Sequence, residues 1–277
     1  MIWPVVPIGE YQRLDVRPDD LLDGGDFRRC DTYRGGGGYD HFPGICEKRL
    51  GRLLHHQFVV QLYGCNLDCP YCYVTRSGVW GKAKHFTTKQ LVHAFERSGQ
   101  EVFHLMGGAP ALYLNGWPEL VAELPAAVFH SDFLLTEQPY DESVLADIAA
   151  LGRGNTLFAV DIKGTTPADY ERNTRKKFKA DLFWGNLDRL VRNGINFYLT
   201  FTNPDMGNYD AMVESLVARF GRAIMDDAFI IKLVDYDALP FVDIRPWGEQ
   251  PRHGPSRLER APDAATLKLM SRLRDIP

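Results

Sequence analysis

The sequence predicts an α/β fold built from six strand–helix units around a parallel sheet. Three observations lead there. From His55 onward, apolar runs of strand length alternate with segments of helical period. The runs are apolar nearly throughout, as befits strands covered on both faces. The chain of 277 residues, 45% hydrophobic and 12% aromatic, is also long enough to bury one core of the size found in single-domain α/β barrels.

The strands are expected at Phe58 to Tyr63, Val102 to Met106, Val128 to Thr136, Leu157 to Ile162, Phe197 to Thr202 and Phe229 to Val234. Between them, Thr87 and Gln90 form a capping-box pair ahead of Leu91, Ala94 and Phe95. Asp141 can cap a helix carrying Val144, Leu145, Ile148 and Leu151, and Leu187, Leu190 and Val191 run up to a stop at Gly194. Tyr209, Met212, Val213, Leu216, Val217 and Phe220 form an amphipathic stripe ended by Gly221. The ends of the chain fall outside this rhythm. We expect an N-terminal extension over 1–54, a main domain over 55–236 and a C-terminal extension over 237–277. The first holds a loop at Gly35 to Gly38. The last is rich in Pro and Arg and ends in a short helix around Leu267, Met270 and Leu273.

Thirty-two basic residues against 36 acidic ones give a net charge of −4, without the basic excess of a dedicated nucleic-acid binder. No segment approaches the roughly 20 apolar residues of a membrane span, and the first residues lack the pattern of a signal peptide, so a soluble cytoplasmic protein is expected. Of five cysteines, Cys65, Cys69 and Cys72 are crowded into one short segment. Such crowding suits metal binding in a reducing compartment better than a disulfide framework. Cys30 and Cys46 are expected to be ordinary thiols.

That segment, GCNLDCPYCY, directly follows the first of the six strands and has the spacing CxxxCxxC. Three soft thiolates converging from one loop leave a fourth metal position open, whereas a closed structural site normally supplies a fourth protein ligand. A structural zinc site recruiting Cys46, His55 or His56, in a protein that is no enzyme, is the competing possibility.

The segment resembles the signature loop of the radical S-adenosylmethionine (SAM) superfamily, including the aromatic Tyr71 before the last cysteine. The resemblance implies a partial (β/α)6 barrel and an oxidoreductase carrying one [4Fe-4S] cluster on Cys65, Cys69 and Cys72. SAM would bind the open iron, with Tyr71 near its adenine. Met106 to Pro110 resembles the family's GGEP element, so Gly107 and Gly108 would approach the SAM ammonium. The usual glutamate is Ala109 here. Thr136, with Glu137, would lie near the SAM carboxylate or ribose. Asp161 and Lys163 resemble the D-x-K element of the activating-enzyme branch, with Lys163 available to the SAM carboxylate. Strand alternation points both to one side. Thr202 and Asn203 are further candidates for ribose or substrate contacts.

These elements lie where barrels place ligand contacts, at the C-terminal ends of strands. Lys232, Asp235 and Tyr236 would face substrate there, and Arg245, Arg252, His253, Arg257 and Arg260 are expected to be a solvated tail. The resemblance further implies an electron donor such as flavodoxin or ferredoxin. It also implies a small-molecule or peptide substrate or, alternatively, a glycyl-radical enzyme activated by this chain. The catalytic residue acting on substrate is not identified by any motif.

Overall fold

The computed structural model describes residues 1–8, 20–31, 41–72, 74, 79–124, 126–152 and 154–231. An eight-stranded sheet organises them. Its strands are β2 (Leu21–Leu22), β3 (Phe27–Asp31), β4 (His56–Gln61), β6 (Val102–Met106), β7 (Val128–Phe133), β8 (Thr156–Ile162), β9 (Phe197–Thr202) and β10 (Phe229–Ile231). The spatial order is β10-β9-β8-β7-β6-β4-β3-β2. Every neighbour from β4 to β10 is parallel, while β2 and β3 extend the edge antiparallel to β4. A separate antiparallel pair joins β1 (Ile2–Val5) to β5 (Lys84–Thr87).

The six expected strands are present, with differences at some of their ends, the fourth starting one residue early at Thr156. The first begins earlier, at His56, and ends at Gln61. The third stops at Phe133 instead of Thr136, because Leu135 has φ 65°. Side chains of Glu137 and Tyr140 take the Leu134 and Leu135 amides, so no neighbouring strand can continue the ladder. The last strand is described as far as Ile231. Gly35 to Gly38, Tyr73, Lys232, Asp235, Tyr236, the five tail residues Arg245, Arg252, His253, Arg257 and Arg260, and the C-terminal helix lie outside the described residues.

Among the described residues, seven α-helices accompany the strands: α1 (His41–Leu50), α2 (Thr88–Ser98), α3 (Trp117–Glu123), α4 (Glu142–Leu151), α5 (Pro167–Thr174), α6 (Ala180–Arg192) and α7 (Tyr209–Phe220). The capping box of α2 is formed: Thr87 Oγ1 accepts from the Gln90 amide at 3.2 Å, and Gln90 Oε1 accepts from the Thr87 amide at 2.8 Å. Thr87→Ala should therefore lower stability by about 1 kcal/mol, read from the midpoint of chemical denaturation. Asp141 caps α4 through the Ser143 amide, as expected.

Alternation divides the sheet's side chains between two layers. Phe58, Phe103, Phe129, Phe158 and Leu199 pack with α2, α3, α4, α6 and α7 in the main core, where Trp117 stacks on Phe158. Val102, Val128, Leu157, Ala159 and Tyr198 face the opposite way and meet Phe42, Ile45 and Cys46 of α1. That helix, which no sequence pattern announced, covers the start of the strands on the inner face. It is held at the far edge by Lys48 and Arg49, which contact Asp227 at 2.8 and 2.7 Å. Among the described residues, no helix is long and apolar enough to cross a membrane.

Candidate functional site at the C-terminal ends of the strands

The cysteine loop leaves β4 and is tied to neighbouring segments by backbone and side-chain hydrogen bonds. Gly64 donates to the Val79 carbonyl at 2.8 Å, and its own carbonyl accepts from the Ala109 amide at 2.9 Å, beyond β6. Asn66 Nδ2 donates to the Thr136 carbonyl at 2.9 Å, beyond β7. The Asp68 amide donates to the Thr174 carbonyl at 3.0 Å, at the end of α5. A further turn is closed by Cys72 N and Cys69 O at 3.0 Å. Side chains of this loop thus sit above the sheet, and Cys65 and Cys69 pack against Leu67, Ala109, Leu134 and Tyr170.

None of the five cysteines is joined in a disulfide. Burial pushes the Cys65 thiol up to about 12 and the Cys69 thiol up to about 11. Ionising them without a cation is therefore expensive, and a positively charged metal centre supplies the missing stabilisation. Among the described residues, the one set of three metal-ligating atoms within 4.8 Å of one another lies elsewhere, at His104, His130 and Asp132. Cys46 is fully buried under the sheet on α1, and Cys30 lies on β3, both apart from the loop.

Tyr71 is also buried, and the Lys163 ammonium stands 5.9 Å from its ring centroid. Lys163 Nζ lies 2.6 Å from Asp161 Oδ2, and Asp161 Oδ1 accepts from the Thr200 hydroxyl. Both side chains point to the inner face, as alternation required. Burial opposes the charge on Lys163, but Asp161, Tyr71 and Cys69 outweigh it and hold the ammonium well above its ordinary range. The result is a fixed cation beside the cysteine loop, suited to an anionic group of a ligand.

Gly107 and Gly108 have φ of 79° and 57°, the left-handed region. A Cβ on Gly108 would lie 2.0 Å from the Gly64 carbonyl oxygen, and one on Gly107 would lie 2.2 Å from Gln61 Cγ. These glycines are thus required by close packing against the residue preceding Cys65 and against β4. Ala109 is fully buried. A glutamate in its place would lose hydration among apolar neighbours, which accounts physically for the departure from GGEP.

Thr136 is buried and its hydroxyl is 2.7 Å from that of Tyr170, while its carbonyl serves Asn66. Glu137 does not replace the missing carboxylate, because its oxygens accept from the Leu134 amide at 2.8 Å and the Tyr140 hydroxyl at 2.7 Å. Burial raises the Glu137 carboxyl from 4.5 to about 7 against those hydrogen bonds. In that interval the folded chain holds a proton that the unfolded chain has released. Stability should therefore fall as pH rises from about 4.5 to 7, by an amount on the order of 3 kcal/mol. Glu137→Gln should flatten that slope, measured as urea midpoints at pH 5 and pH 7.

Thr202 is buried at the end of β9, and its carbonyl accepts from Asn173 Nδ2 at 3.2 Å. The same amide nitrogen donates to the Lys163 carbonyl at 2.8 Å and the Asn203 carbonyl at 3.0 Å. Asn173 is therefore a clamp between two strand ends, and no sequence signal marked it. Thr200 was also missed, although its position two residues before Thr202 and its pairing with Asp161 would have found it once the register was known.

The profile of the Radical SAM superfamily matches residues 59–216, more than half of the chain. Comparison with curated proteins yields no match. Among solved structures, SuiB of Streptococcus suis bound to S-adenosylmethionine aligns with TM-score 0.50 and 9% identity, covering 76% of this chain and 44% of that one. QueE from Escherichia coli aligns with TM-score 0.43 and 13% identity, over 84% of each chain. The AdoMet-bound anSMEcpe aligns with TM-score 0.41 and 15% identity, over 62% of this chain and 48% of that one. The chain thus spans about half the length of SuiB and anSMEcpe.

Proposed function

Because this chain belongs to the radical SAM superfamily, we propose that it abstracts hydrogen from a small-molecule or peptide substrate held on the inner face of its partial barrel. It is an enzyme of that class, and its cofactors are a [4Fe-4S] cluster and SAM. The protein's residues suit both. Cys65, Cys69 and Cys72 would hold the cluster, and Lys163, oriented by Asp161, would receive the SAM carboxylate beside Tyr71. When bound there and reduced, the cluster would supply the electron for reductive cleavage of SAM, the source of the hydrogen-abstracting species.

The chain's own part is to orient and to exclude water. Gly108 fixes the loop against β6, Asn66 fixes it against β7, and Asn173 draws together the ends of β8 and β9. Rigid walls of this kind keep a reactive carbon close to one target and away from solvent. The observation that carries the proposal is the pairing of three thiols outside any disulfide with a buried, salt-bridged lysine at one end of the sheet. The net charge of −4 supports a small or peptide substrate over a polynucleotide.

Anaerobically reconstituted protein given SAM and dithionite should release 5'-deoxyadenosine and methionine in equal amounts. Protein that carries iron and sulfide but releases neither would refute the proposal. The Asp161–Lys163 pair also suits an activase, for which the distinguishing result is a glycyl-radical EPR signal in a partner enzyme after the same incubation.

A further inference from the structure

Two imidazoles and a carboxylate meet on the inner face, deeper than the layer that carries Asp161. His104 of β6 and His130 of β7 are paired in register, with ring centroids 4.3 Å apart and planes at 89°. Asp132 follows His130 by two residues and so shares its face. The potential ligand atoms of all three lie within 4.8 Å of one another, and His104 Nε2 is 3.8 Å from Asp132 Oδ2.

Each ring is anchored through one nitrogen only. His104 Nδ1 is 2.7 Å from Gln57 Oε1, so that nitrogen is engaged with Gln57 and Nε2 is the one left facing His130 and Asp132. His130 Nε2 is 3.1 Å from the Tyr198 hydroxyl. The remaining nitrogens, His104 Nε2 and His130 Nδ1, are buried without a hydrogen-bond partner. The two residues are only 9% and 4% exposed, so water does not readily satisfy them. An unsatisfied buried group costs on the order of 1–3 kcal/mol. An edge-to-face contact between the rings explains their packing and leaves both lone nitrogens unexplained.

We propose that His104, His130 and Asp132 bind a divalent first-row transition-metal ion, with Zn²⁺ the best match, at a site separate from the cysteine loop. Two neutral imidazoles and one carboxylate form a donor set that holds such ions while leaving a position open. Gln57 and Tyr198 then act as the outer partners that fix each ring's orientation. A tetrahedral zinc with bonds of about 2.1 Å holds ligand atoms about 3.4 Å apart, so the 3.8 Å already present between His104 and Asp132 needs only a small contraction. Asp132 pairs with Ala159, two residues before Asp161, which places the site about 7 Å along the strands from that layer. The Asp132 side chain keeps 27% exposure, so the open position faces its side and would accept an oxygen donor such as a carboxylate or hydroxyl.

Metal binding here requires neither the cluster nor SAM, so it stands or falls independently of the proposed reaction. The test is to incubate the cluster-loaded full chain with ZnCl₂ without oxygen, desalt it, and count iron and zinc by mass spectrometry. The expected result is about one zinc per chain beside the cluster iron. His104→Gln and Asp132→Asn should each lower zinc affinity at least ~10-fold with iron content unchanged. Asp132→Asn keeps shape at a partly exposed position and serves as the readout should the histidine variant fold poorly. Failure of the cluster-loaded chain to take up zinc, or undiminished uptake by both variants, would overturn the site.

Discussion

Replacing any one of Cys65, Cys69 or Cys72 by alanine should reduce iron and sulfide content to that of protein never reconstituted, and 5'-deoxyadenosine release with it. The expected loss is complete because three thiolates are the smallest set that holds a cubane while leaving one iron open. The loop carrying them is fixed from Val79, Ala109, Thr136 and Thr174, so no neighbouring cysteine can swing in as a substitute. Cys46 lies beneath the sheet on α1 and Cys30 on its antiparallel extension. Cys30→Ala and Cys46→Ala should accordingly keep full iron content. Iron and sulfide assays with nucleoside chromatography check each arm, and loss of cluster in Cys30→Ala would contradict the assignment.

Lys163→Met should destabilise the protein by about 3–5 kcal/mol, the cost of leaving a buried partner charge unmatched. Asp161 would retain the Thr200 hydroxyl but lose the ammonium 2.6 Å away. The same substitution should weaken SAM binding at least ~10-fold, since a charge-assisted contact of roughly 1.5–3 kcal/mol is removed. Adding Asp161→Asn removes the stranded carboxylate. The double variant should regain most of the stability, by urea denaturation, while SAM affinity, by equilibrium dialysis, stays low. Recovery of both would mean that Lys163 acts only in folding.

The parallel core of the fold was legible in the sequence because strands buried on both faces are written as unbroken apolar runs, such as LFAVDI in β8. Helix ends were legible where a side chain performs the capping, as at Thr87 and Asp141. β3 escaped notice because its sequence, FRRCD, carries charges that suit an edge extension and break the apolar run. Helix α1 was hidden for a similar reason, since its Pro43 and Gly44 argue locally against a helix that packing nonetheless stabilises. In the site, residues bearing a motif could be named in advance. Asn173, Asn66 and Thr200 could not, because each acts by spanning elements that adjoin only after folding. His104 and His130 looked like parts of two ordinary strands. Only the register of β6 against β7 turns them into neighbours.

The helix beneath the sheet carries a kinetic consequence. Phe42, Ile45 and Leu54 pack against the first residues of β6, β7 and β8 and fill that end of the inner face. If substrate and sulfonium cofactor both enter past the cysteine loop, as the proposed function requires, they share a doorway and the deeper guest enters first and leaves last. Added 5'-deoxyadenosine and methionine should then slow turnover by trapping product as well as by competing with fresh cofactor.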